Sequence, residues 1–84
     1  MIPYEFTAHA ERQLRKLPLS IQRQIIKKIE LFLAAPEPLH FAEPLVGREG
    51  RVYRFRLTDY RVIFELAHGR LLITAVGRRD QIYR

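Results

Sequence analysis

The sequence predicts an α+β fold in which a short N-terminal strand is followed by a two-helix hairpin and then by a three-stranded antiparallel meander. Three observations carry this prediction. Apolar residues recur with a helical period between Ala10 and Leu33, and they recur at every second position from Val52 onward. The length of 84 residues is that of one small domain. Residues 1–84 are therefore expected to form a single domain.

The first strand and the first helix are predicted from alternation and from capping. Residues 2–6 place Ile, Tyr and Phe at every second position, which is the period of a strand. Pro3 lacks an amide hydrogen, so this strand is expected at a sheet edge. Thr7 is expected to cap the first helix, which should end at Pro18.

The second helix and the segment after it are predicted from an apolar stripe and from turn residues. Ser20 is expected to cap this helix, and Pro36 is expected to end it. The stripe that would face the sheet consists of Ile21, Ile25, Ile29, Phe32 and Leu33. Residues 36–51 contain three prolines and two glycines, so we expect a long loop that packs over the sheet and helps to shape a site.

The meander is predicted from the period of two in the second half of the chain. Turns are expected at Thr58-Asp59 and at His68-Gly69, between runs that alternate apolar and polar residues. The core face of the last strand is expected to carry Leu71, Ile73 and Ala75. One face of the sheet should pack on the helices, and the other should carry arginines.

Positive charge is concentrated in the second half of the chain. The net charge is +6, and residues 48–84 contain nine arginines, no lysine and four acidic residues. The simplest hairpin register places Arg56 opposite Arg61, with Arg54 on the same face, although like charges that lie opposite one another destabilise a sheet. Either internal acids or an external polyanion could neutralise this charge. The internal candidates are Glu49, Asp59 and Glu65. These acids are too few to pair every arginine, and the guanidinium fork matches phosphate, so the pattern favours a polyanion.

The composition excludes several classes of function. The chain has no cysteine, so disulfides, thiolate metal sites and a cysteine nucleophile are excluded. The three histidines share no spacing and there is no glycine-rich phosphate loop, so neither a metal nor a cofactor is expected. No segment is long and apolar enough to span a membrane, and the first residues lack the pattern of a secretory signal. These observations predict a cytoplasmic protein without a membrane partner.

Several segments together resemble a known toxin family. They are residues 14–18 (LRKLP), 45–47 (LVG), 53–56 (YRFR), 59–65 (DYRVIFE) and 76–83 (VGRRDQIY). In combination they resemble the RelE/ParE superfamily of toxins from toxin–antitoxin modules, and the RelE branch in particular. The resemblance covers nearly the whole chain. It implies a fold of one strand, two helices and an antiparallel sheet, in agreement with the periodicity.

The resemblance also implies a reaction and a set of catalytic positions. Toxins of the RelE branch enter the ribosomal A site and cut messenger RNA. The corresponding residues here are Arg54, Arg56, Arg61, Arg79 and Tyr83. Cleavage that suits these residues is metal-independent and proceeds by attack of the 2′-hydroxyl of the RNA on the adjacent phosphate, with the arginines stabilising the phosphorane. Tyr83 would take the 2′ proton or stack on a base, and Arg56 would act on the leaving oxygen.

This sequence departs from the family pattern in two ways. Well-known members of the RelE branch have lysine at the positions of Arg54 and Arg56. Arginine does not give up its proton, so the resemblance does not transfer the role of general base to Arg56. The spacing from Arg79 to Tyr83 is shorter than in some members. Strand parity would favour Arg78 on the outward face, whereas the family pattern favours Arg79.

Two other functions stay open at this point, and one partner is expected. The ParE branch resembles this fold but poisons DNA gyrase, and retention of the basic positions and Tyr83 argues against it. Residues 8–34 could instead form a helix-turn-helix that binds nucleic acid without catalysis, with Arg23, Lys27 and Lys28 on phosphates. The arginine excess lies elsewhere, which disfavours this function.

A toxin of this kind is expected to bind a cognate antitoxin that is acidic or has an acidic helical segment.

Overall fold

The computed structural model describes residues 1–45 and 51–82, and in these ranges it has one five-stranded sheet with two α-helices. The elements in chain order are β1 (Tyr4–Phe6), α1 (Ala8–Arg15), α2 (Leu19–Leu33), the 3₁₀ helix η1 (Pro38–Phe41), β2 (Ala42–Pro44), β3 (Val52–Leu57), β4 (Tyr60–Ala67) and β5 (Arg70–Arg78). The order of strands across the sheet is β1-β5-β4-β3-β2, with β1 parallel to β5 and the other pairs antiparallel. The predicted α+β fold, with its strand, helix pair and meander, is confirmed.

One predicted helix cap is confirmed and the other is wrong. The Thr7 hydroxyl accepts a hydrogen bond from the Ala10 amide at 3.1 Å and so caps α1. The cap of α2 is Pro18 rather than Ser20. Pro18 has an extended backbone, and its carbonyl accepts the amides of Ile21 and Gln22 at 2.9 and 3.0 Å. Ser20 therefore lies inside the first helical turn.

Residues 36–51 contain more regular structure than the predicted loop. Pro38–Phe41 forms η1, and Ala42–Pro44 forms β2, which pairs with β3 at the edge of the sheet. Pro38 lies in the first turn of η1, and Pro44 lies in an edge strand. Proline is tolerated at both kinds of position. Residues 46–50 of the predicted loop lie outside the described residues. The main consequence is that Glu43 is paired directly with Arg54 in the β2–β3 register.

The hydrophobic core lies between the helices and one face of the sheet. Its buried members are Ala10, Leu14, Ile25, Ile29, Leu33, Phe55, Leu57, Val62, Phe64, Leu71, Ile73 and Val76. Phe55 is fully buried, with its ring centroid 5.1 Å from that of Phe32 and 4.6 Å from that of Phe64. Since Phe55 is buried on the helix side, its neighbours along β3 project from the opposite face of the sheet.

An irregularity between β4 and β5 changes which residues of β5 enter the core. Phe64 pairs with Ile73, whereas Ile63 pairs with Ala75, so Thr74 is an extra residue in the β5 register. The expectation that Ala75 lies on the core face is therefore wrong, and Val76 is buried there instead. The same shift places Gly77 opposite Arg61.

The backbone next to this irregularity is held by a side chain of α1. The Val76 amide donates a hydrogen bond to Gln13 Oε1 at 2.8 Å. We expect Gln13→Ala to lower the free energy of unfolding by about 1–3 kcal/mol, because a partly buried amide would lose its acceptor. Urea unfolding measures this change. Gln24→Ala, at an exposed position of α2, is the control and should change the stability by less than about 0.5 kcal/mol. Equal losses in the two variants would contradict the role of Gln13.

Candidate functional site

Three arginines lie on the sheet face that points away from the helices. The registers pair Arg56 with Arg61 and Leu57 with Tyr60, as the sequence predicts. Arg54 is two residues before Arg56 on the same strand and therefore shares its face. We call Arg54, Arg56 and Arg61, with the carboxylate of Glu43, the arginine face. The side chains of Arg54 and Arg56 are 28% and 60% exposed, so Arg56 is the more accessible of the two.

Arg61 is the buried member of the arginine face, with 6% of its surface exposed. Its Nη1 donates hydrogen bonds to the carbonyl oxygens of Thr58 and Tyr60, at 2.9 and 2.8 Å. Thr58 has a φ of +56°, a left-handed conformation that is costly for a β-branched residue. The guanidinium therefore links two carbonyls of the β3–β4 turn. These contacts offset the repulsion that the sequence predicts between Arg56 and Arg61.

Glu43 is the site residue that sequence reasoning missed. Its Oε2 lies 3.4 Å from Arg54 Nη2, and its Oε1 lies 3.3 Å from Arg56 Nε. The turn residues of segment 36–51 predict a loop around this glutamate, and the sequence offers other acids as partners, one of which, Glu49, lies outside the described residues. The residues around Glu43 do not alternate apolar and polar side chains, and a proline follows directly, so no pattern in the sequence assigns Glu43 to the sheet.

The arginines at the end of β5 have different surroundings. Arg78 Nε lies 3.3 Å from Asp80 Oδ1, and this hydrogen bond is the largest of the effects that raise the pKa of Arg78, with Tyr60 adding to it. The Arg79 amide donates to the Asp59 carbonyl at 2.8 Å, which places Arg79 beside the β3–β4 turn. Within residues 1–45 and 51–82, Arg78 has an acidic partner and Arg79 has no ion pair. Tyr83, the fifth predicted site residue, lies outside the described residues.

Gly77 continues, on β5, the row of residues that crosses the arginine face. The row runs from Arg56 through Arg61 to Gly77 on three adjacent strands. Among the described residues, the atoms nearest to the position where a Cβ of Gly77 would lie belong to Ile82, whose Cβ is 3.6 Å away. Within the described ranges, no three histidine or acidic side chains are grouped in a way that would hold a metal ion. The arrangement offers guanidinium donors and one carboxylate, which suits a phosphate ester.

A groove lies next to the arginine face, between α2 and the β3–β4 turn. Its apolar lining includes Ile25, Phe32 and Leu57, and Lys27 and Lys28 stand along it. Leu31, which is 60% exposed, and Arg56 also line this groove. Arg56 therefore belongs both to the α2 groove, as we call it, and to the arginine face.

Comparison with known families assigns the chain to a toxin family. A model described as the ParE toxin of the type II toxin–antitoxin system parDE matches residues 4–83. The chain belongs to this family. It is a toxin of a type II toxin–antitoxin module, and the predicted membership of the RelE/ParE superfamily is confirmed. No curated protein matches the chain. None of the helices in the described part of the toxin has the length and apolar character needed to cross a membrane.

Solved structures show that the toxin has a RelE-like fold. The RelBE2 toxin–antitoxin complex of Mycobacterium tuberculosis is 26% identical with a TM-score of 0.76, covering 93% of this chain and 98% of that one. The intact RelBE complex of E. coli is 21% identical with a TM-score of 0.75, covering 96% and 100% of the two chains. The RelE–RelB complex of Pyrococcus horikoshii OT3 is 24% identical with a TM-score of 0.73, covering 95% and 97%.

Proposed function

We propose that this toxin is a ribosome-dependent endoribonuclease that cuts messenger RNA in the A site and thereby stops translation in the cytoplasm. The observation that carries the proposal is the arginine face, where Arg56 and Arg61 are paired across adjacent strands and Arg54 lies on the same face. Arg79 stands beside the turn that joins those strands. A concentration of guanidinium donors on a rigid sheet is suited to the charge that develops on a phosphate during its cleavage.

The proposed reaction needs no metal or cofactor. The 2′-oxygen of the RNA attacks the adjacent phosphorus, the bond from phosphorus to the 5′-oxygen breaks, and the products are a 2′,3′-cyclic phosphate and a 5′-hydroxyl. Arg54 and Arg79 stabilise the phosphorane, and Arg56 donates a hydrogen bond to the leaving oxygen. Arg61 uses Nη1 to hold the turn, so its Nε and Nη2 are the donors that serve the phosphate. Tyr83 stacks on a base or exchanges a proton.

The ribosome supplies the positioning of the substrate that these residues do not provide. Arginines stabilise charge but do not relay protons efficiently, so the intrinsic rate of such a site is low. Positioning a message in the A site brings the 2′-oxygen into line with the scissile bond, which lowers the entropic part of the barrier. We therefore expect cleavage of messages on ribosomes and little cleavage of free RNA.

A second candidate function is inhibition of DNA gyrase. The observation in its favour is that the matching family model is the one for ParE toxins. The two functions leave different damage in the cell. Expression under tight control, followed by mapping of the 5′ ends of messages and of gyrase-linked DNA breaks, separates them. New message ends carrying 5′-hydroxyls are expected. Growth arrest with gyrase-linked breaks and no new message ends would contradict the proposed function.

The partner that fits the toxin is a cognate antitoxin with an acidic, amphipathic helical segment. The similar solved structures include toxin–antitoxin complexes. The α2 groove has an apolar lining flanked by Lys27, Lys28 and Arg56, so it complements a helix that is apolar on one side and acidic on the other. An antitoxin bound in this groove would contact Arg56 and so cover part of the arginine face.

Two exposed leucines on α2 provide a matched test of the groove. Leu31 lines the α2 groove and is 60% exposed, whereas Leu19 is 57% exposed and lies outside this groove. Leu31→Asp is expected to weaken antitoxin binding by at least about tenfold, because it places a charge on an apolar contact. Leu19→Asp should change the affinity by less than about threefold. Titration calorimetry with the purified antitoxin measures both, and equal effects would argue against the groove.

A further inference from the structure

The end of β5 carries two adjacent arginines, of which only one can share a face with Arg61. Successive residues of a strand point to opposite faces of the sheet, so the register of β5 decides which of the two this is. Ile73 is buried in the core on the helix side. An uninterrupted strand that is counted from Ile73 would turn Arg78 towards the arginine face and Arg79 away from it.

The bulge at Thr74, as we call the irregularity between β4 and β5, reverses this alternation. Pairing that continued from Ile73 without an extra residue would place Val76 opposite Arg61. The structure instead places Gly77 opposite Arg61, so the later residues of β5 are shifted by one position relative to β4. Each of them therefore points to the face opposite to the one that a straight strand would give it.

The shifted ladder of hydrogen bonds extends to Arg79. The Arg79 amide donates to the Asp59 carbonyl at 2.8 Å, directly beyond the pair that Tyr60 forms with Arg78. The side chain of Tyr60 packs against the core, so Arg78, which lies opposite Tyr60, follows the alternation of the core face. Arg79 therefore follows the alternation of Arg61 and belongs to the arginine face.

Burial of Val76 stabilises the shifted register. Val76 is 1% exposed and lies opposite Val62, which is also buried. Without the bulge, Ala75 would take this place in the core, and Val76 would lie on the arginine face opposite Arg61. A methyl group in place of an isopropyl group leaves a cavity and returns apolar surface to water. The bulge avoids this loss at the cost of a local disruption of the ladder.

We propose that Val76 is a positioning residue, which fixes the bulge at Thr74 by burying its side chain and so brings Arg79, rather than Arg78, to the arginine face. This inference rests on the proposed function, in which Arg79 stabilises the phosphorane. Because Val76 is buried in the core, it acts on cleavage only through the register of β5. Moving the valine by one position should therefore change which arginine serves the phosphate.

The first test exchanges the two residues that compete for the core position. The exchange variant combines Ala75→Val with Val76→Ala. In this variant a straight β5 buries the valine without a bulge, so Arg78 should come to the arginine face. Single-turnover cleavage of a defined message on ribosomes is measured for Arg78→Ala and Arg79→Ala, each in the wild-type and in the exchange background.

The order of the two arginines is expected to reverse between the backgrounds. In wild type, Arg79→Ala should slow cleavage by roughly 10²–10³ and Arg78→Ala by less than about threefold, because only the first removes a donor from the phosphate. In the exchange background, Arg78→Ala should slow cleavage by at least about tenfold, and by more than Arg79→Ala does. A valine with a merely structural role would change stability without reversing this order.

NMR reports the register without any assay of cleavage. The Val76 amide donates to Gln13 rather than to β4, so Val62 and Val76 form the closely spaced kind of antiparallel pair, with Cα atoms about 4.5 Å apart. We expect an Hα–Hα contact from Val62 to position 76 in wild type and to position 75 in the exchange variant. In Val76→Ala alone neither register buries a valine, so both contacts should appear. This single variant decides the register if the exchange variant does not fold.

Val62→Ala is the matched control. It removes the same side-chain atoms from the same pair in the core as Val76→Ala does, but Val62 occupies the core in both registers. Its melting temperature should fall, since a buried side chain is shortened. Its register should stay that of wild type, and Arg79 should stay more important for cleavage than Arg78.

The outcomes separate the proposal from the function on which it rests. An exchange variant in which Val62 still contacts position 76 would show that Val76 does not set the register. A changed register with cleavage that still depends on Arg79 more than on Arg78 would assign the positioning to the turn after β5, and would overturn the proposal as well. If wild type does not cleave ribosome-bound messages at all, the proposed function fails, whereas the NMR contacts still decide whether Val76 sets the register.

Discussion

Replacing Arg61 with alanine is expected to lower message cleavage by roughly 10²–10³, the usual cost of removing one donor from a charge-stabilising site. The same change should lower the free energy of unfolding by about 1–3 kcal/mol, since the carbonyls of Thr58 and Tyr60 would lose a charged donor. If repulsion between Arg56 and Arg61 were the only effect, Arg61→Ala would instead raise the free energy of unfolding. Urea unfolding and single-turnover cleavage measure the two effects separately.

A second substitution separates the structural effect of Arg61 from its catalytic effect. Thr58 has a positive φ, so Thr58→Gly should relax the β3–β4 turn and recover stability in the Arg61→Ala background. Cleavage should stay low in the double variant, because the phosphate would still lack the guanidinium. Recovery of both stability and cleavage would show that Arg61 only holds the turn, which would remove it from the set of residues that act on RNA.

The largest expected loss of stability belongs to Phe55. It is fully buried in contact with the rings of Phe32 and Phe64. Phe55→Ala should cost about 3–5 kcal/mol, because the loss of apolar burial is accompanied by a cavity in the core. A natural domain has a total stability of about 5–15 kcal/mol, so this substitution should remove a large fraction of it and lower the melting temperature clearly.

An aromatic residue in the same stack serves as the control for Phe55. Phe41 stacks on Phe32 with ring centroids 4.6 Å apart but is 44% exposed. Phe41→Ala should therefore cost less than about 2 kcal/mol, since less apolar surface returns to water. Circular dichroism during thermal unfolding ranks the two variants. A Phe41→Ala variant as unstable as Phe55→Ala would contradict the placement of the core.

The fold could be predicted from the sequence because its longer elements have clear periods. The stripe on α2 and the alternation in β3 and β4 each span enough residues to define a buried face, and the Arg56–Arg61 register followed from a two-residue turn. Some short features could not be predicted from the sequence, for physical reasons. The residues of β2 and its flanks do not alternate and include a proline, so they resemble a loop. The shift that placed Val76 in the core depends on pairing with β4 rather than on local sequence.

The positive charge of the candidate site could be predicted from the sequence, but the contacts that balance this charge could not. The arginines stand out because they alternate with apolar residues on predicted strands. Two features depend on contacts between distant parts of the chain. Glu43 reaches Arg54 and Arg56 only because β2 pairs with β3, and Arg61 is buried because it bonds to carbonyls of the turn. Residue spacing cannot show either feature.

The measurement that tests the central claim most directly is cleavage of a defined message on purified ribosomes, with the A-site codon carrying either a normal ribose or a 2′-deoxyribose at the scissile position. The account predicts that wild-type toxin cuts the normal message, leaves a 2′,3′-cyclic phosphate and a 5′-hydroxyl, and does so with chelator present. It also predicts that Arg56→Ala, at an exposed position of the arginine face, folds normally and cuts at least about tenfold more slowly. Equal cleavage of the 2′-deoxy message, or no cleavage of either message by wild type, would contradict the account.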